Sequence, residues 1–367
     1  MFLDKIKLIN FKNLEEVDIS FSKGINCLLG ENGSGKTNLL DSIYTFCLTK
    51  SAFTSSDSLL INFNKDFYRI EAKIELESTN YIIECAFSQN TKKILKVNSS
   101  TYEKASEHIG KFPVVMIAPD DTDLIREGSE TRRKFFDAML CQLNDNYLSA
   151  FIQYNHLLKQ RNALIKSFSI NKSINHSLLE TYDEKIIALS MFIASKRNEF
   201  LKKFIPVFNE AYSFISPIKE KTSIKYDTES LSSEFKSIFK DSLEKDLLYQ
   251  RTTKGIHTDD FEFKLNEVSV KRTASQGQKK SFVISLKIAQ YNLLLMEKGI
   301  KSFLLLDDIF DKLDDERISR LIELISNNHF GQIFITDARP ERSINFFKNI
   351  NDTRFFEVKN GNVETKS

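Results

Sequence analysis

Eight consecutive residues, Gly30-Glu31-Asn32-Gly33-Ser34-Gly35-Lys36-Thr37, fit G-x-x-x-x-G-K-[ST] at every position, the pattern of a loop that wraps nucleotide phosphates. Glycines let the main chain approach the phosphates, and successive amide N–H groups at a helix start attract the anion. Lys36 would reach the β- and γ-phosphates as a point charge, and the Thr37 hydroxyl would ligate magnesium. The bland alternative is a glycine-rich turn that binds nothing. Eight matched positions between a strand-like run and a helix-like run favour nucleotide binding.

A second set lies far downstream. Phe303-Leu304-Leu305-Leu306-Asp307-Asp308 is an apolar strand ending in two acids. Alone the pair of acids reads better as a solvated loop, but beside a phosphate loop it reads as the end of the metal-holding strand, with Asp307 on magnesium and Asp308 orienting and deprotonating the attacking water. Ser275-Gln276-Gly277-Gln278 opens a helix whose apolar positions run Phe282, Val283, Leu286, Ala289, Leu293 and Leu294. Ser275, Gly277 and Gln278 there form either a second anion cradle or an ordinary helix cap. His257 with Asp259 and Asp260 offers too few ligand types for a metal site and reads as a turn or interface.

These residues need elements to hold them. The run Ile25 to Leu29 reads as a buried strand before the loop, and Thr37 to Ile43 has helical spacing after it. Residues 2–11 and 16–21 alternate as half-buried strands, predicting a hairpin that feeds the loop strand; 67–76 and 81–87 predict further antiparallel strands. Val114 to Ile117 predicts a buried strand ended by Pro119. Apolar residues then recur at helical intervals from Glu130 to about Lys166 and from Tyr182 to Phe214, predicting two long helices joined near 171–177 as an antiparallel arm. Arg132, Arg133, Lys134, Lys159, Arg161, Lys166, Lys196, Arg197, Lys202 and Lys203 lie along them. They read first as solvated faces and second as nucleic-acid contacts. Strand character returns at 261–265, Gln332 to Thr336 predicts a core strand, and 355–358 with Gly361-Asn362 a closing edge hairpin.

Lys36 and Asp307 stand 271 residues apart, more than a compact phosphate-loop fold needs, so an insertion separates them. The expected organisation is an α/β ATPase head with a mixed sheet, built from residues 1–120 and 251–367, with a mainly helical arm at 121–250.

Composition narrows the class. The chain has 367 residues, 52 Lys plus Arg against 50 Asp plus Glu, and a net charge of +2, so a nucleic-acid surface would have to be a local basic patch. Cys27, Cys47, Cys85 and Cys141 are scattered and read as core thiols of a cytoplasmic protein. No apolar run reaches the length of a membrane span, and none is expected.

The ordered set of phosphate loop, S-x-G-Q, paired acids and Phe310-Asp311-Lys312-Leu313-Asp314 resembles the ABC-type ATPase heads of the SMC-like group. More narrowly it resembles the RecF family of bacterial recombination mediators, through residues 8–14, Gly128 to Asp137, Tyr154 to Asn162 and Gly255 to Asp260. That resemblance implies ATP with Mg2+, and an ATP-dependent homodimer in which Ser275, Gly277 and Gln278 close on the γ-phosphate held by the other subunit's Lys36. It also implies slow ATP hydrolysis, binding to single-stranded and double-stranded DNA at gaps and junctions, and work with RecO and RecR to load recombinase. Lys12 stands where the family usually has arginine, Phe310 where small residues are common, and Thr336-Asp337 where many ABC heads place a switch histidine. The alternative is a transporter-type ABC subunit driving a membrane partner, against which the helical arm counts. An SMC-like structural protein would need longer heptad helices.

Overall fold

The computed structural model describes residues 1–89, 91–171, 175–216, 220–327 and 329–366, without the side chains of 169–171, 311 and 312. The expected helix junction near 171–177 therefore lies partly outside the described residues, as do the side chains of Asp311 and Lys312.

Among the described residues fifteen strands form three sheets. They are β1 Phe2–Phe11, β2 Leu14–Ser20, β3 Ile25–Leu29, β4 Phe67–Leu76, β5 Thr79–Ser88, β6 Ile94–Val97, β7 Ser100–Thr101, β8 Val114–Ile117, β9 Thr222–Asp227, β10 Asp260–Leu265, β11 Val268–Ser269, β12 Phe303–Leu306, β13 Ile333–Asp337, β14 Thr353–Lys359 and β15 Asn362–Lys366. The helices are α1 Lys36–Leu48, α2 Asp123–Arg126, α3 Ser129–Leu143, α4 Asp145–Asn171, α5 His176–Ile215, α6 Phe235–Asp241, α7 Leu243–Tyr249, α8 Val270–Thr273, α9 Gln276–Lys298, α10 Asp315–Ser326 and α11 Pro340–Phe347.

The chain divides into two compact units, one of residues 1–121, 211–217 and 280–367 and one of 122–210 and 218–279. This differs from the expected boundaries. β10, β11 and the start of α9, expected in the head, group with the long helices, while the end of α5 groups with the head.

In the first unit, an antiparallel sheet runs β2-β1-β4-β5-β6-β7 and a second sheet runs β15-β14-β3-β13-β12-β8. The second is parallel except at β15. Its strands β3, β8 and β12 are buried at every position, which explains the unbroken apolar runs of β8 and β12, while β3 admits one polar residue, Asn26, whose amide bonds the Ser22 main chain. One apolar core joins the inner face of β1 (Leu3, Ile6, Leu8), α1 (Leu39, Leu40, Ile43, Phe46) and the parallel strands (Phe303, Phe334, Phe356). Two expectations need refining. The 2–11 and 14–20 hairpin leads along the chain into β3 but pairs in the antiparallel sheet, whereas the neighbours of β3 are β13 and β14. β14 is interior, so only β15 closes the edge. In both cases the parallel core captures β3 between strands from the far end of the chain.

In the second unit, α4 and α5 are antiparallel: Arg161 pairs with Asp183 at 2.6 Å, and Phe168 and Leu179 share a small core with Ile165. The first helical train is broken at Asn144, so α3 and α4 are separate helices. A three-stranded sheet, β11-β10-β9, completes the unit.

Candidate functional site

β3 ends in the phosphate loop, and the loop ends in α1. Gly35 occupies the helix N-cap at φ 118°, a conformation that favours glycine, and a Cβ there would meet Leu14 Cδ2 at 2.9 Å and the Asn13 amide at 3.0 Å. Gly30 is required by close approach: a Cβ would lie 2.1 Å from the Val358 carbonyl of β14. Glu31, Asn32 and Gly33 form the exposed crest, while Ser34 and Lys36 are buried. Lys36 Nζ donates to the carbonyls of Gly30 at 2.8 Å and Glu31 at 2.9 Å, so its ammonium is held inside the loop's curve.

Parallel pairing brings the acids to the same end. β12 ends at Leu306 opposite Ile335 of β13, and β13 in turn pairs Asp337 with Leu29. Asp307 and the phosphate loop therefore meet outside the carboxyl ends of β12 and β3, the two parallel strands that flank β13, where open α/β sheets place their ligands. Thr37 Oγ1 donates to Asp307 Oδ1 at 2.8 Å, and Thr336 Oγ1 donates to the same oxygen at 2.8 Å. Since the Thr37 proton goes to Asp307, the hydroxyl's lone pairs remain for a cation. Two hard oxygen groups side by side suit Mg2+. Burial pushes the Asp307 carboxyl above its usual range, with the hydrogen bonds from Thr336 and Thr37 acting in the opposite direction.

Asp308 adopts φ 43° and ψ 34°, uncommon for a non-glycine residue, and its N–H donates to Thr336 Oγ1 at 2.8 Å. Its Oδ1 is buried without a hydrogen-bond partner, as is Ser34 Oγ. Unmet buried acceptors mark places that a ligand or its water would complete. The donors, the cradle and these orphaned oxygens together fit a magnesium nucleotide.

Lys12 extends the site's support: it reaches Asp41 of α1 at 2.7 Å, and Asp41 also takes hydrogen bonds from Ser51 Oγ and the Ala52 N–H. Asn13 bridges the Gly33 carbonyl and the Asn38 amide, and the Gly361 N–H donates to the Ser34 carbonyl. Sequence reasoning placed these residues in turns and did not foresee that both turns brace the loop. Nor did it foresee the two hydrogen bonds of Thr336.

The S-x-G-Q residues belong to the second unit, apart from Lys36 and Asp307 in the first. There the Ser275 N–H donates to Gln278 Oε1 at 2.6 Å and the Gln278 N–H donates to Ser275 Oγ at 3.2 Å, a reciprocal capping box. Within one chain the capping reading of these residues is thus realised, with Ser275 and Gln276 exposed.

Among the described residues no His, Cys, Asp and Glu grouping could hold a metal by itself. His257 is engaged at both ring nitrogens, by the Tyr154 hydroxyl at 2.6 Å and the Thr252 carbonyl at 2.9 Å. Arg132, Arg161 and Arg197, expected on solvated or DNA-facing surfaces, are buried. Arg132 pairs with Asp260, Arg161 with Asp183 and Asp246, and Arg197 with Asp137 and Asp259. Lys159, Lys166, Lys202 and Lys203 remain exposed.

Residues 2–355 match the family model described as the RecF/RecN/SMC N-terminal domain. The DNA replication and repair protein RecF of Cytophaga hutchinsonii is 48% identical over 365 residues, covering 99% of this chain and 97% of that protein. The chain belongs to the RecF family. RecF of Flavobacterium johnsoniae is 40% identical over 353 residues, covering 96% and 98%. A solved structure of the recombination mediator protein RecF with ATP, from the RecFOR pathway, superposes with a TM-score of 0.90 at 29% identity, covering 100% of this chain and 98% of that one. The Smc head domain of Pyrococcus furiosus, at 17% identity and a TM-score of 0.57, shares the fold. As a member of the RecF family the chain is a DNA replication and repair protein with an SMC-like ATPase fold. No helix among the described residues is long and apolar enough to cross a membrane.

Proposed function

We propose that this chain is an ATP-dependent DNA-binding protein of replication and recombinational repair, in which the nucleotide acts as a switch. The observation that carries the reading is the meeting of Lys36, Thr37, Asp307 and Asp308 at one end of the parallel sheet. The ATP named for the solved relative supports it. Gly30 to Gly35 would cradle the phosphates with main-chain amides, and Lys36 would exchange its loop carbonyls for phosphate oxygens. Thr37 and Asp307 would hold Mg2+, which supplies charge neutralisation on the phosphates. Asp308 would accept a proton from the attacking water as that water's oxygen bonds to the γ-phosphorus and the bridging oxygen leaves with ADP.

Ser275, Gly277 and Gln278 of one subunit would close on the γ-phosphate bound by the other, so ATP favours a homodimer and slow, DNA-stimulated hydrolysis releases it. The DNA would be single-stranded or double-stranded at gaps and junctions, with RecO and RecR as partners in loading recombinase in the cytoplasm. The transporter-type alternative has no observation in its favour.

The test is fluorescence-anisotropy binding of gapped DNA with and without ATP for wild type, Lys36→Arg and Ser275→Arg, with light scattering for oligomeric state. ATP should dimerise the wild type and tighten it on DNA, while Ser275→Arg binds ATP but stays monomeric. Equal DNA binding by all three proteins, or by none, would overturn the clamp.

A further inference from the structure

We infer that Thr336 is a positioning residue for hydrolysis, a hydroxyl that ties the Asp307 carboxylate to the main chain of Asp308, and not a sensor of the γ-phosphate. The inference rests on the nucleotide reading above and goes beyond it.

Thr336 lies in β13, one strand from the phosphate-loop strand, and is wholly buried. A hydroxyl has one proton to donate, with lone pairs to accept. The Thr336 proton is committed to Asp307 Oδ1 at 2.8 Å, and its oxygen accepts the Asp308 N–H at 2.8 Å. With that proton spent, none remains for a phosphate oxygen. The next residue offers no sensor either: Asp337 Oδ1 accepts from the Arg339 N–H and Arg342 Nη2, and Oδ2 from Arg342 Nε and Ser343 Oγ. The end of β13 is thus bound to the acids on one side and to α11 on the other.

What Thr336 supplies is the conformation of Asp308. A left-handed aspartate persists only where its surroundings over-determine it, and the hydrogen bond to Thr336 Oγ1 is a bond that fixes its N–H. The same oxygen atom reaches Asp307, so the two acids are held in one geometry. The buried, unpartnered Asp308 Oδ1 is then aimed by the backbone rather than by a side-chain bond of its own. Serine can reproduce both bonds. Valine, of nearly the same shape, can make neither.

The experiment compares wild type, Thr336→Val, Thr336→Ser and, as a second hydroxyl-free variant should the valine protein not fold, Thr336→Ala. Each is titrated with a fluorescent ATP analogue in Mg2+ and followed through single-turnover and steady-state ATP hydrolysis. The expected result is ATP binding and KM close to wild type in every variant, kcat lowered about tenfold or more in the hydroxyl-free proteins, and recovery in the serine protein, a tenfold loss corresponding to about 1.4 kcal/mol of barrier. Unchanged kcat in the hydroxyl-free variants overturns the inference. So does a loss that serine fails to restore, or one confined to KM. Wild type that neither binds nor hydrolyses ATP would sink the nucleotide reading itself, an outcome distinct from active wild type with an indifferent Thr336.

Discussion

Thr37 Oγ1 donates to Asp307 Oδ1 across 2.8 Å, joining the first turn of α1 to the end of β12 although 270 residues separate them. The buried carboxylate is costly to ionise: its folded value is raised, so folding stability falls as pH rises from the ordinary aspartate range through that raised value and stays at the lower level at neutral pH. Asp307→Asn keeps an oxygen to accept both hydroxyls and removes the charge. Nucleotide-free Asp307→Asn should melt at a higher temperature than wild type at pH 7, and the further rise that Mg-ATP gives wild type should shrink. Differential scanning fluorimetry reads both.

Lys36 is the only ammonium drawn into the loop among the described contacts, bonded to two of its carbonyls. Lys36→Ala should weaken ATP binding by about a hundredfold, as expected when a charge-assisted contact worth roughly 2–3 kcal/mol is lost. Isothermal titration calorimetry checks this, and an undiminished affinity would remove the loop from the binding site.

His108 gives the first unit an acid limit. Its ring is buried between Tyr102 and Phe112 with Nε2 2.6 Å from the Phe46 carbonyl, and burial lowers its pKa to about 4. A histidine held neutral in the fold but protonated when unfolded contributes stability that is complete above pH 6.5 and lost as pH falls toward 4. His108→Gln, which can still donate to Phe46, should melt with a flatter pH dependence over that window.

Arg197 Nη2 lies 2.9 Å from Asp137 and Nη1 3.0 Å from Asp259, with all three side chains buried. Removing one member strands the other charges in a dry interior, a loss of about 3–5 kcal/mol. Arg197→Ala should lower the urea midpoint of the second unit, while Lys202→Ala on the exposed face leaves it within about 0.5 kcal/mol of wild type. Tyrosine fluorescence with a proteolysis readout separates the two units.

Much of the head could be read from sequence because its signals are local. The phosphate loop, the apolar run into Asp307 and the alternation of β1, β4 and β5 each lie within about ten residues. The arginines misled, although the clue was present. Arg161 falls three residues after Leu158 and four before Ile165, and Arg197 four after Ile193 and three before Phe200, which puts both on the buried stripe. Their charge suggested solvent, and the acids that neutralise them come from elements 22 to 85 residues away. Thr336 escaped for a similar reason: only the register of β12 against β13 reveals what its hydroxyl meets.

β3 is hydrogen-bonded on one side to β13 and on the other to β14. A ribosome that has completed the phosphate loop must add about 300 more residues before either neighbour exists, roughly 15 to 60 s at ordinary bacterial rates. Throughout that interval the four apolar residues of β3, Ile25, Cys27, Leu28 and Leu29, have no sheet to enter. The phosphate loop therefore lacks its sheet until β13 and β14 have been made, and ATP should become a ligand only after that.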